Sequence, residues 1–82
     1  MQNFKLSVDL SSIYMQIKDN LVKEYSFPFF LVFLEADNPD DACYTFTQRL
    51  LHTIVEKDNS IESRIMCRKI HRHMRIYKVI LL

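Results

Sequence analysis

Near the start of the chain, from Phe4 to Leu10, apolar and polar side chains alternate. The apolar members are Phe4, Leu6, Val8 and Leu10. A period of two is typical of a strand with one buried face. After this strand, Ser11 or Ser12 can cap a helix, and Ile13, Ile17 and Leu21 recur at four-residue spacing. We therefore predict a first strand over this stretch and a helix from about residue 12 to residue 25.

The longest apolar run of the chain extends from Phe27 to Leu34. A strand that is apolar at nearly every position is typical of one covered on both faces, so this run is predicted to be the central strand. Asn38 and Pro39 then form a strong helix start, since asparagine caps and proline suits the first helical position. The second helix is predicted to end near residue 56, and its apolar face is Cys43, Phe46, Leu50 and Ile54.

A third helix is predicted after a polar break at residues 57 to 60. Its apolar residues, at helical spacing, are Ile61, Ile65, Met66 and Ile70. Asn59 or Ser60 would cap it. The alternative is a strand over residues 63 to 70, paired with the end of the chain. The β-branched and aromatic content from His73 to Leu82 predicts a final strand.

These elements give one small domain, residues 1–82, of the α/β or α+β class in the order β-α-β-α-α-β. Strands joined by helices are usually parallel, with right-handed crossovers. We therefore expect a three-stranded sheet with strand order 1-2-3 and the helices packed mainly on one face. The alternative is an antiparallel or differently ordered sheet in which the third helix covers the other face.

A sheet covered on one side leaves an apolar face bare. Depending on the orientation of the central strand, the exposed set would be Phe27, Phe29, Leu31 and Phe33, or else Pro28, Phe30, Val32 and Leu34. A contiguous exposed apolar area usually marks an interface. We therefore expect this face to be covered by a protein partner or by a second copy in a homodimer.

The composition narrows the function classes. Apolar residues make up 49% of the chain and charged residues 26%, the balance of a folded domain. The chain has no glycine, which excludes phosphate-cradling loops and dinucleotide folds, so we expect no cofactor. Six residue types with AT-rich codons account for 32 of the 82 residues. This bias suggests an AT-rich genome, such as that of a phage, a mobile element or a low-GC bacterium.

The sequence also bears on the compartment. Its longest apolar run has eight residues, whereas a membrane-spanning helix needs about 20, so we expect no membrane association. No apolar stretch with a cleavage site marks a signal peptide, which makes a cytoplasmic location the expectation. Cys43 and Cys67 lack the spacing of a zinc or redox motif. We interpret them as two free thiols, and a single disulfide is the alternative.

The charges are segregated along the chain. Residues 63 to 82 carry a formal charge of +6, whereas residues 1 to 62 hold five basic and ten acidic residues, a formal charge of −5. We define the basic segment as Arg64, Arg68, Lys69, His71, Arg72, His73, Arg75 and Lys78. Such a segment can bind an acidic protein surface or a phosphate backbone, and Tyr77 beside it could stack on a base.

Four carboxylates lie where the second strand leads into the second helix. We define this acidic loop as Glu35, Asp37, Asp40 and Asp41. The carboxyl end of a strand can hold a magnesium ion, but capping and the helix dipole explain Asp40 and Asp41 without one. We therefore predict no metal site here. The loop is a candidate for binding a partner, or for binding the basic segment of a second copy.

Residues with catalytic or metal-binding chemistry are few. Cys67, His71 and His73 could approach a zinc ion, but no fourth ligand lies nearby in sequence, so no metal is expected. His52 and Glu56, one helical turn apart, are more typical of a surface contact than of an acid-base pair. No nucleophile with a positioned base is identifiable.

These patterns favour a non-enzymatic interaction protein, such as a phage or mobile-element regulator or inhibitor. It would bind a host protein through the apolar sheet face and the basic segment. An RNA- or DNA-binding regulator that uses residues 64 to 78 is the alternative. A small nuclease, acting through His71, His73 or the carboxylates of residues 37 to 41, is the third hypothesis.

Overall fold

The computed structural model describes all 82 residues and contains three strands and three α-helices in the order β-α-β-α-α-β. The elements are β1 (Gln2–Asp9), α1 (Tyr14–Ile17), β2 (Phe29–Ala36), α2 (Pro39–Lys57), α3 (Ile61–His73) and β3 (Arg75–Leu81). The chain is a small α+β domain, as the sequence predicts.

The sheet is fully antiparallel, with strand order β2-β1-β3. Two expectations are therefore wrong: the strands are not parallel, and the run from Phe27 to Leu34 is not central. This run forms most of the edge strand β2, whereas the alternating strand β1 lies in the middle. The error has a physical cause. A continuous apolar run is commoner in interior strands than at an edge, but it reports the faces of a strand directly and its number of backbone neighbours only indirectly.

The absence of glycine shapes the connections between the strands. Two-residue hairpin turns of the favoured types need positive φ, and no residue of this chain has positive φ. Instead, every pair of consecutive strands is joined through helical segments. The antiparallel neighbours β1 and β2 are thus linked by the region that contains α1.

The predicted helix from residue 12 to residue 25 is mostly absent. One α-helical turn, α1, is followed by two short 3-10 turns, Lys18–Asn20 and Lys23–Tyr25. The four-residue spacing did identify core residues correctly, because Ile13, Ile17 and Leu21 are all buried. It did not establish a continuous helix, since irregular turns bury the same side chains.

The caps of the two long helices are the ones that the sequence indicates. Asn38 accepts a 2.8 Å hydrogen bond from the Asp41 N–H at the start of α2, with Pro39 at the first helical position. Ser60 accepts a 3.1 Å hydrogen bond from the Ser63 N–H, so residues 63 to 70 are helix rather than strand. None of the helices has the length and hydropathy needed to cross a membrane.

The core lies between one face of the sheet and the helices. Alternate residues of β1 (Phe4, Leu6 and Val8) pack in one buried cluster with the inner residues of α2, which are Ala42, Phe46, Leu50 and Ile54. The Phe46 ring meets the rings of Tyr25 and Phe30 edge to face, at centroid distances of 5.5 and 6.0 Å. The helices thus cover one face of the sheet, as predicted, and α3 does not cover the other.

Substitution of Phe46 tests this description of the core. We expect Phe46→Ala to lower the free energy of unfolding by about 3 to 5 kcal/mol, because the ring is fully buried and leaves a cavity among its neighbours. Tyr44→Ala, on the same helix but 66% exposed, is the matched control and should change it by less than about 1 kcal/mol. Urea denaturation measures both values, and equal losses would contradict this description of the core.

Candidate functional site

The face of the sheet that points away from the helices is uncovered. Residues paired across neighbouring strands share a face, so the register identifies its members. Each row crosses the sheet from β2 through β1 to β3. The open face consists of the rows Phe29, Asp9 and Arg75; Leu31, Ser7 and Lys78; Phe33, Lys5 and Ile80; and finally Glu35 with Asn3.

The β2 side of the open face is apolar. Phe29, Leu31 and Phe33 are 58%, 54% and 62% exposed, and they stand at alternate positions of one strand. We call these three residues the apolar strip. The strip belongs to the first of the two sets that the sequence offered, so the structure selects that orientation of the strand. Phe27 is also exposed, but it lies before β2 begins.

The middle of the open face is polar and partly shielded by its neighbours. Ser7 is buried although no helix covers it, and Lys5 and Asp9 are half-buried. The hydrogen bonds from Ser11 lower the pKa of the Asp9 carboxyl, and the nearby positive charge of Arg75 lowers it further. Asp9 is therefore ionised over the physiological pH range and partly offsets the charge of Arg75.

The β3 side of the open face is basic. Arg75 and Lys78 are both exposed, and neither forms an ion pair. The pairing of β3 with β1 shifts by one residue here, because Lys78 lies opposite Ser7 and Ile76 lies opposite Val8. Tyr77 is the extra residue of this bulge and is 62% exposed. Two cations and an aromatic ring thus border the polar middle.

The structure divides the basic segment between two surfaces. Six of its members lie on α3, in the helix layer: Arg64, Arg68, Lys69, His71, Arg72 and His73. Only Arg75 and Lys78 lie on the open face. On α3, Arg64 donates to the Asn59 side chain and Lys69 donates to the Gln16 side chain. No carboxylate pairs with any of these residues.

Two shallow grooves flank the C-terminal half of α3. One, of about 400 Å³, runs between α2 and α3 and is lined by Leu51, Cys67, Arg68, His71 and Arg72. The other, of about 280 Å³, lies on the far side of Arg68 and Arg72. His71, Arg72 and His73 are in the last turn of α3, where the helix dipole is negative and stabilises positive charge. Their position therefore has a structural explanation without a ligand.

The acidic loop surrounds the start of α2. The Asp37 N–H donates to the Asp41 carboxylate at 3.3 Å, and Asp40 lies in the first turn of the helix. Glu35 is at the end of the open face, six residues along the sheet from Arg75 and hence about 20 Å away. The acidic loop and Arg75 of one chain are thus too far apart to pair.

The remaining residues with candidate chemistry lie on α2 and α3. No three histidine, cysteine, aspartate or glutamate side chains are close enough to hold a metal ion. His52 and Glu56 form an exposed 3.0 Å contact on α2. Both cysteines are free, and burial raises the pKa of the Cys43 and Cys67 thiols, which disfavours the nucleophilic thiolate.

Sequence reasoning offered the apolar strip within one of two alternative sets and named the cations of β3, but it missed Lys5. The alternation of β1 could have identified Lys5, because Lys5, Ser7 and Asp9 are at odd positions and the buried apolar residues of the strand are at even positions. That parity was interpreted only as the solvent side of a strand. Its importance follows from the central position of β1, which places Lys5 beside Phe33.

No protein-family model, no curated protein and no solved structure matches this chain.

Proposed function

We propose that the protein is a small non-enzymatic interaction domain that binds a protein partner through the open face. The observation that carries this proposal is the bare sheet surface on which three large apolar side chains are each more than half exposed. Contiguous apolar area on a small folded domain is a hallmark of protein interfaces. Aromatic and arginine side chains, which this face combines, are enriched in interface cores.

The apolar strip supplies enough energy to anchor a partner. Complete burial of a leucine or phenylalanine side chain is worth roughly 1.5 to 3 kcal/mol, and about half of each strip residue remains to be buried. The three residues together can therefore contribute roughly 2 to 4 kcal/mol of gross binding energy. This is the scale at which a few anchor residues determine whether an interface forms.

The charges of the face define the chemistry of the partner. Lys5 lies next to the apolar strip, and Arg75 and Lys78 lie across β1 from it, whereas the acidic residues of the face are Asp9 and Glu35. A partner that presents apolar side chains next to carboxylates is complementary to this arrangement. The cations of α3 extend the positive field around the domain and would speed the encounter with such a partner.

The biological setting that we propose is a regulator or inhibitor encoded by a phage or mobile element and directed at a host protein. The AT-rich residue bias and the small size of the domain support this setting. Two free cysteines are compatible with the reducing environment of the cytoplasm. The base composition of the gene tests the genomic part of the proposal directly.

Replacing two strip residues tests the binding face. We expect Phe29→Ser/Phe33→Ser to reduce the partner recovered by affinity purification from host extract by about tenfold or more, because the main anchors are lost. Met15→Ser/Tyr44→Ser is the matched control, since Met15 and Tyr44 are 73% and 66% exposed on helices. This control should retain the partner. Full recovery by a folded strip variant would contradict the proposal.

Single-stranded nucleic acid is a second candidate, favoured by one specific observation. The open face carries exposed phenylalanine rings, and Tyr77 lies beside Arg75 and Lys78 at its edge. Aromatic rings on a sheet, bordered by cations, can stack bases and contact phosphates. The Asp9 carboxylate and the net charge of only +1 weigh against this candidate.

A gel-shift titration with single-stranded RNA and DNA separates the two candidates. If the protein-binding proposal holds, no discrete complex should form at low salt. The nucleic-acid candidate instead requires a complex that dissociates steeply as salt rises. It also requires Arg75→Gln/Lys78→Gln to weaken this complex more than Arg68→Gln/Arg72→Gln does, because only the first pair lies on the open face.

A further inference from the structure

β2 has the residue pattern of an interior strand but lies at an edge. Every position from Phe29 to Leu34 is apolar. Continuous apolar runs are typical of strands that are paired on both sides and covered on both faces. Edge strands of soluble proteins usually carry charges, prolines or bulges, which prevent pairing with other chains.

The opposite edge of the sheet shows those protective features. β3 contains a bulge at Tyr77 and exposes the charged residues Arg75 and Lys78. β2, in contrast, pairs with β1 in an unbroken register of eight residues, and its only charged residue is Glu35 near its end. The two edges are therefore not equivalent, and only the β2 edge is suited to accept another strand.

The hydrogen-bond pattern identifies which backbone groups this edge presents. The Leu10 N–H donates to the Pro28 carbonyl at 2.7 Å, in continuation of the β1–β2 ladder. Antiparallel bonding alternates along a strand, so the even-numbered residues of β2 bond to β1. The N–H and C=O groups of Phe29, Leu31 and Phe33 consequently point outward, without a partner strand.

We propose that β2 pairs with the β2 strand of a second copy of this chain, antiparallel about a two-fold axis at Leu31. The two sheets then join into one of six strands, in which β2 is an interior strand. In this register Leu31 lies opposite the Leu31 of the second copy, and Phe29 lies opposite its Phe33. Roughly six backbone hydrogen bonds form between the outward-pointing groups.

Self-complementarity singles out a second copy as the occupant. The apolar residues of the open face meet one another in this register, and no like charges are opposed. Glu35 lies opposite Phe27, so the two Glu35 carboxylates are about 27 Å apart. A register shifted by two residues would instead place Glu35 opposite Phe29. The apolar strips of two copies are thus best aligned in the register centred on Leu31.

The symmetry of this pairing preserves the open face. Antiparallel pairing of two identical edges places the two-fold axis perpendicular to the sheet. Both helix layers therefore lie on one side, and both apolar strips lie side by side on the other. The pairing does not depend on the proposed function, because it uses the edge of β2 whereas the partner would bind the face.

Charge substitution at the two-fold axis tests the pairing. We expect light scattering to give wild-type protein a mass of about twice the 9.9 kDa of one chain, with dissociation on dilution. Leu31→Lys and Leu31→Asp should each weaken the dimer by about tenfold or more, because like charges then face each other. An equimolar mixture of the two variants should restore a dimer, since Lys then faces Asp.

Tyr77→Lys is the matched control, because it adds a charge to the β3 edge and should leave the dimer intact. Circular dichroism establishes that each variant is folded, as expected for residues that are more than half exposed. A wild-type chain that stays monomeric at the highest concentration reached would overturn the proposal and leave the β2 edge to a strand of another protein. Variants that dimerise individually, or a mixture that does not dimerise, would also overturn it.

Discussion

The antiparallel pairing of β1 with both β2 and β3 is the constraint on which the rest of the structure depends. It aligns the buried residues of β1 and β2 on one side together with the partly buried Ile76 and Val79 of β3, and α2 packs against this side. The helical regions suffice to cover one face of a three-stranded sheet. No helix or strand among residues 1–82 covers the second face.

The uncovered face is not a solvent surface of the usual kind. Antiparallel sheets often have one solvent-exposed face, but that face is normally polar along every strand. Here only β1 follows the rule, with Lys5, Ser7 and Asp9 outward, while β2 presents an apolar strip and β3 presents cations. An exposed apolar strip lowers the solubility of a protein, and a protein surface that covers the strip would remove this effect.

The charged residues that are grouped along the sequence are distributed differently in the fold. Along the sequence, the basic segment is one block and the acidic loop another. In the fold, six residues of the basic segment lie on α3 and two lie on the open face, while the acidic loop surrounds the start of α2, at the end of the sheet opposite Arg75. The charge is therefore distributed unevenly over the surface of the domain, which does not favour a uniform attraction to anions.

Local signals in the sequence were sufficient for the elements but not for their arrangement. Asn38 with Pro39 and the Ser60 cap predicted both long helices, because capping is chemistry within a few residues. The position of β2 could not be predicted in this way, since strand order depends on pairing between distant segments. The open-face set of Phe29, Leu31 and Phe33 was one of two options, and only the register with β1 decides between them.

The most direct test of the central claim is hydroxyl-radical footprinting of the protein alone and in complex with its captured partner. If the open face is the binding surface, oxidation of Phe29 and Phe33 falls in the complex, while oxidation of Tyr44 on α2 does not change. Protection of Tyr44 with undiminished oxidation of both phenylalanines would place the partner on the helix layer and contradict the account.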